Sequence, residues 1–161
     1  MPEDPHHLRH FDYVGRFQYC LTFCTFERTP LFLTADIMDN VHEQIVRVCI
    51  DQAFVVCAYC YMPDHVRFVV EGQLATSDLK HMVARAKQSS GFHFKRQMPH
   101  RLWQRYGYER VLRDAQETAM FVRYVVQNPI RAGLVESPSD YPFWGSSQWS
   151  REELLDYLRV A

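Results

Sequence analysis

The sequence predicts an α+β fold of ferredoxin-like (RRM-like) type, an antiparallel sheet built in the order β-α-β-β-α-β with an additional C-terminal helix. Three observations predict it. Apolar residues recur at three and four over residues 35–51 and again beyond Ser77, the spacing of two amphipathic helices. Four runs rich in β-branched and aromatic residues, bounded by turn residues, read as strands. The two middle strands are joined only by Pro63-Asp64, so a hairpin lies between two helical crossovers.

Each element has its own signal. The first strand, residues 19–26, alternates loosely and is rich in Tyr, Phe and Thr; Pro30 ends it. In the first helix Ile37, Val41, Ile45, Val48 and Cys49 form the apolar stripe, and Thr34 stands as its N-cap. Residues 53–62 are almost continuously apolar, the pattern of an interior strand. In the strand 65–71 the period of two turns Val66, Phe68 and Val70 to the core and His65, Arg67, Val69 and Glu71 to the other face. A second helix begins at Ser77 and runs through Leu79, Met82, Val83 and Ala86, and beyond Gly91 to Phe92. Residues 108–112 form the fourth strand. Asp114 caps a helix through Ala119, Met120, Phe121, Tyr124 and Val125 that stops near Asn128, because Pro129 follows. Residues 137–144 read as an irregular wrap and 151–158 as a short terminal helix. Domain boundaries are expected at 14–148, with 149–161 a short helical tail; the second sheet face is left for a ligand or for the last helix.

Composition narrows the class. A chain of 161 residues, 47 % hydrophobic and 23 % charged, is one ordinary domain that needs neither disulfides nor a structural metal. No apolar run approaches the roughly 20 residues of a membrane span, and the acidic, histidine-rich residues 1–10 lack the pattern of a signal peptide. A cytoplasmic protein with no membrane partner is expected. The five cysteines, an odd number in apolar surroundings, read as buried thiols. Cys57-x-x-Cys60 has the spacing of a zinc or redox knuckle, but in a regular strand those positions point to opposite faces.

Charge is concentrated. The formal net charge is -1, yet residues 80–113 carry nine of the 18 Lys and Arg against the single acid Glu109. Such a segment gathers phosphates while the remaining surface keeps the molecule soluble. Lys80, Arg85, Lys87, Lys95, Arg96, Arg101 and Arg105, with Arg131 further along, are the candidate nucleic-acid contacts. Trp103, Tyr106 and Tyr108 are candidates either to stack on bases or to fill the junction between the basic helix and the fourth strand. His65 and Arg67 project together, and Tyr124 and Asn128 stand one helical turn apart. A hydroxyl nucleophile, a metal-ligand type and fixed positive charge are parts of phosphoryl-transfer chemistry.

Four segments carry a resemblance: Tyr61-Met62-Pro63-Asp64-His65-Val66-Arg67; Leu102-Trp103-Gln104; Tyr124-Val125-Val126-Gln127-Asn128-Pro129-Ile130-Arg131-Ala132-Gly133-Leu134-Val135; and Asp140-Tyr141-Pro142 with Ser146-Ser147. In them the chain resembles the IS200-like transposase family, and within it the REP-associated tyrosine transposases, HUH-type single-tyrosine nucleases. The resemblance implies cleavage and rejoining of single-stranded or hairpin DNA through a 5′-phosphotyrosine, with Mg or Mn as cofactor. It implies Tyr124 as nucleophile, His65 as the first metal histidine and Asn128 as a further metal ligand, in a monomer or homodimer. Arg67 departs from the pattern: it stands where the family has its second histidine, and a guanidinium has no lone pair for a cation.

That departure leaves several readings open. Glu71, on the same strand face, can complete a metal site. Alternatively Arg67 holds the scissile phosphate directly, with His65 as proton acceptor or hydrogen-bond partner of Tyr124. A third reading is a catalytically weakened relative that still binds DNA. From a different class, an RNA-binding RRM-like module shares the sheet but lacks its aromatic-glycine patterns here.

Overall fold

The computed structural model describes residues 10–160. Strands β1 (Gln18–Cys24), β2 (Phe54–Met62), β3 (His65–Gly72), β4 (Tyr108–Leu112) and β5 (Trp144–Gly145) make one antiparallel sheet in the order β4-β1-β3-β2-β5. The first four have the expected ferredoxin-like arrangement. The fifth corrects the expectation of a purely irregular wrap after residue 137. Two residues are too few to show a period, and their pairing with Tyr59 and Cys60 is a tertiary event.

Helices α1 (Ala35–Asp51) and α2 (Leu79–Gln97) cover one face. There Met38, Val41, Ile45 and Val48 from α1 and Leu79, Met82, Ala86 and Phe94 from α2 meet Leu21, Phe23, Val66, Phe68 and Val70 of the sheet. The second face is covered by α3 (Ala115–Val126), the single turn α4 (Asn128–Arg131) and α5 (Arg151–Val160), so the last helices, and not open solvent, take it. Val122, Val125 and Val126 of α3 and Leu154 of α5 pack there on Cys20, Ala58, Cys60 and Val69. Residues 151–160 are helical as expected and tied down: Arg151 donates to the carbonyls of Trp144 and Tyr141.

A bulge in β2 corrects the reading of the Cys57-x-x-Cys60 pair. Register shifts between Val56 and Ala58 opposite β3, and the extra residue resets the alternation. Cys57 and Cys60 therefore both lie in the cluster under α3. They are free thiols, and burial pushes each up to about 12, so both are protonated at neutral pH.

Helix ends follow their caps. Thr34 accepts from the Ile37 amide and Asp114 from the Glu117 amide, as expected. At α2 the cap is Asp78, which accepts from the His81 amide; Ser77 instead donates its hydroxyl to the Ala53 carbonyl. The third helix ends at Val126, and the chain then restarts as α4, so Asn128 is the first residue of a new turn and not a terminal cap. Pro129 is the cause: its ring cannot follow a helical Val125 carbonyl, but it fits the opening positions of a fresh turn. Gly133, at φ 74, closes that turn.

Candidate functional site

Directly paired residues of antiparallel strands point to the same face, so the register defines two lateral rows beneath α3. One row is Tyr108, Thr22, Arg67 and Cys60; the next is Cys24, His65 and Met62. Helix α3 approaches these rows from the Gln18 end of β1, crossing the sheet row by row. Thr118 bonds Gln18, Glu117 bonds Arg110, and the Arg110 guanidinium lies 5.0 Å from the Phe121 ring centre. Two turns later Tyr124 arrives at Arg67, whose guanidinium carbon is 5.1 Å from its ring centre. Tyr124 keeps 39 % of its surface exposed, enough for a substrate to reach it.

A chain of polar contacts joins this phenol to the β2–β3 turn. Arg28 donates Nε to Asp64 Oδ2 at 2.9 Å, and Asp64 Oδ1 lies 2.8 Å from His65 Nδ1. A carboxylate only accepts, so the hydrogen sits on Nδ1 and the His65 Nε2 lone pair points on to Asn128 Nδ2 at 3.3 Å. Asn128 Oδ1 in turn accepts from Arg131 Nη2 at 3.1 Å, and the Arg131 guanidinium carbon lies 3.6 Å above the Tyr124 ring. The phenol thus contacts two guanidinium groups. Burial lowers the His65 pKa, Asp64 opposes this and Arg67 adds to it, so the imidazole is neutral at pH 7. Burial works against the Asp64 carboxylate, but its bonds to His65 and Arg28 outweigh that and hold it below its ordinary value.

Tyr124, His65, Arg67, Asn128 and Arg131 therefore come together. Asp64 and Arg28 were missed in the sequence; Asp64 stands beside His65 in the motif, while nothing local ties Arg28 to it across 36 positions. Glu71 does not join the site. It lies six residues along β3 from His65, about 20 Å at strand rise, and Gln18 Nε2 donates to it at 3.1 Å.

The donor set does not fit a divalent cation. Such an ion takes several oxygen or imidazole lone pairs. Here the lone pair of His65 Nε2 accepts from one amide N–H, and Asn128 Oδ1 accepts from a guanidinium. Arg67, two residues on along the same face of β3, offers donors only. Among the described residues no three His, Cys, Asp or Glu side chains gather as a cation site.

The basic segment divides into parts. Lys80, Lys87, Arg105, Tyr106 and Tyr108 line a cleft of about 290 Å³ between α2 and residues 105–109. A neighbouring cleft of about 480 Å³ is lined by Lys87, Phe92, Lys95, Arg101 and Arg105. Lys80, Lys87 and Lys95 recur at the spacing of one helix face, whereas Arg85 and Arg96 lie around the helix from it and line neither cleft. Trp103 corrects the list of possible base platforms. It is 5 % exposed, donates its indole N–H to Ser90 and packs edge-on against Phe23, so it fills the core. Tyr106 and Tyr108 are exposed. Tyr108 shares its row and sheet face with Arg67, two strand spacings or about 10 Å away.

The fold is thus a ferredoxin-like sheet that carries a tyrosine, an imidazole and two guanidinium groups beside the end of its third helix. The chain belongs to the IS200-like transposase family, whose sequence model matches residues 13–128. A curated "Putative REP-associated tyrosine transposase" of Haemophilus influenzae is 26 % identical over 140 residues, covering 78 % of this chain and 77 % of the relative. The solved structure of a REP-associated tyrosine transposase bound to a REP hairpin has a similar fold, with a TM-score of 0.72 at 22 % identity over 86 % of this chain and 81 % of that one. The crystal structure of a "putative transposase" from Deinococcus radiodurans follows at TM-score 0.54 and 18 % identity, over 76 % of this chain and 97 % of that one.

Proposed function

We propose that this protein binds single-stranded DNA hairpins and cuts and rejoins them with Tyr124 as nucleophile. The observation that carries the reading is an exposed phenol placed against two guanidinium groups, joined through Arg131 and Asn128 to a histidine in the same cluster. The Tyr124 oxygen forms a bond to the scissile phosphorus and the bond from phosphorus to the 3′-oxygen breaks. The departing 3′-oxygen takes a proton, the 5′-phosphate stays on tyrosine, and rejoining is the reverse with a second 3′-hydroxyl. When substrate binding releases the Asn128 amide from it, His65 Nε2 becomes the acceptor for the phenol proton, and Asp64 holds the ring in the tautomer this needs.

The clefts along α2 open on the opposite sheet face from Tyr124, with β4 between them. A bound strand passes from Lys95 and Lys87 across the edge of β4, where Tyr106 and Tyr108 meet its bases, and reaches Tyr124. The relatives named for REP elements support a hairpin partner.

The test uses labelled DNA hairpins with single-stranded flanks, separated on denaturing gels. A covalent protein-DNA band is expected with the natural protein and none with Tyr124→Phe, which still retards the hairpin on native gels. Retardation without any covalent band selects the reading of a binder that no longer cuts. Matched RNA hairpins that compete as well as DNA select an RNA-binding module and defeat the proposal.

A further inference from the structure

We infer that Arg67 and Arg131 form a phosphodiester clamp in the place of a metal ion, so that this chain engages its DNA without a divalent cation. The inference rests on the reading of Tyr124 as the nucleophile and specifies what holds the phosphate in front of it.

Four observations converge. Arg67 projects from β3 on the same face as His65, two residues on, and its guanidinium lies by the Tyr124 ring. Its Nε is buried and finds no acceptor among the described residues, a donor left unsatisfied in a fold that satisfies nearly all others. Arg131 reaches the same phenol from α4, and its one bond, to Asn128, leaves further guanidinium N–H groups open. Charge is unbalanced: the Asp64 carboxylate of this network is already taken by Arg28 and His65, and among the described residues neither Arg67 nor Arg131 forms an ion pair.

Two fixed positive charges at the phenol repel a cation and attract a singly charged phosphodiester. The planar fork of Arg67 matches two non-bridging phosphate oxygens, and an oxygen arriving there gives its orphaned Nε–H an acceptor. In the transition state the same groups meet the charge that develops on those oxygens, the electrostatic work a Lewis acid otherwise performs. A histidine at this position holds a metal through its lone pair; an arginine supplies the charge as part of the chain. Asn128 is consistent with this division: it turns its amide N–H toward His65 and its oxygen toward Arg131, so it positions both groups.

Two readouts test the clamp, and neither depends on cutting. The first is manganese binding, followed by electron paramagnetic resonance. The natural protein is expected to bind no stoichiometric Mn at this site, whereas Arg67→His gains one equivalent that His65→Ala removes. The second is retention of a hairpin with single-stranded flanks in EDTA. Arg67→Ala, folded by circular dichroism, is expected to lose affinity by about tenfold, with part restored in Arg67→Lys. An equivalent of Mn in the natural protein that His65→Ala abolishes overturns the inference; so does an Arg67→Ala protein that keeps its full affinity in EDTA. Absence of a covalent band, by contrast, defeats the cutting reaction and leaves both readouts in force.

Discussion

His42 is a half-buried base away from the site, and the fold opposes its protonation. Its Nδ1 lies 3.0 Å from the Tyr61 hydroxyl and its ring centre 4.0 Å from that of Tyr59, and burial lowers its pKa to about 4. Unfolded, the same imidazole takes a proton as the pH drops through its ordinary value of 6.5. The unfolded chain therefore binds more protons in that window, and the His42 contribution, whole above pH 6.5, is lost as the pH falls toward 4, by about 3 kcal/mol in all. Urea midpoints measured from pH 7.5 to 4.5 are expected to fall more steeply in the natural protein than in His42→Gln; parallel curves would refute this. Trp103 makes a different point at the same scale. Its sequence surroundings suit a base platform and a core filler equally, and only burial against Phe23 and Phe32 and the bond to Ser90 decide for the core. Trp103→Ala is expected to cost about 3–5 kcal/mol in urea unfolding, a loss no surface platform would cause.

Helix α3 is the element on which the site depends, because its pitch along the sheet sets where Tyr124 arrives. Glu117 fixes its first turn: the carboxylate accepts from Arg110 Nη2 at 2.5 Å, from the Arg113 amide at 2.8 Å and from Arg113 Nε at 3.2 Å. Removing one partner of a buried ion pair costs about 3–5 kcal/mol when the other is stranded. Here the Arg113 side chain is 82 % exposed and Arg110 30 %, so water takes up most of their charge. Glu117→Ala is therefore expected to destabilise by only about 1–2 kcal/mol in denaturant unfolding, and a loss near 5 would mean that the pair is sealed from solvent. The start of this helix was legible, since Asp114-x-x-Glu117 is a local capping pattern. Its end was legible only in part: Pro129 announces a break, but nothing local says that the chain resumes at once as α4 and swings Asn128 against His65.

At the scale of the whole molecule the distribution of charge matters more than its sum of -1. The α2 clefts gather Lys80, Lys87, Lys95, Arg101 and Arg105 on one side of the sheet. If these five each meet a phosphate, hairpin affinity falls with salt at a logarithmic slope of about -3 to -4, since each contact to a single strand contributes about -0.7. Titrations between low and physiological salt measure it. Lys87→Ala is expected to flatten the slope by about one contact, whereas Arg85→Ala, which lies off the clefts, is expected to leave it unchanged. Equal effects of the two would show that the basic segment acts as a diffuse field and not as a groove. No helix among the described residues is long and apolar enough to cross a membrane.

By itself the sequence determined the order of the elements from β1 to α3, the faces of β3, the caps at Thr34 and Asp114, and the presence of Arg67 where its family has a histidine. These are local properties: periods of 2.0 and 3.6 come from backbone geometry, and a motif is read residue by residue. Tertiary structure alone decided that α3 to α5 close the second face, that a bulge turns Cys57 toward Cys60's side, that Trp103 is interior, and that Arg28 and Arg131 attach to opposite ends of the His65 network. The reason is that a pattern shows which surface of an element is apolar, while the partner it meets is chosen by contacts between residues far apart in the chain, whose energies no short window of sequence contains.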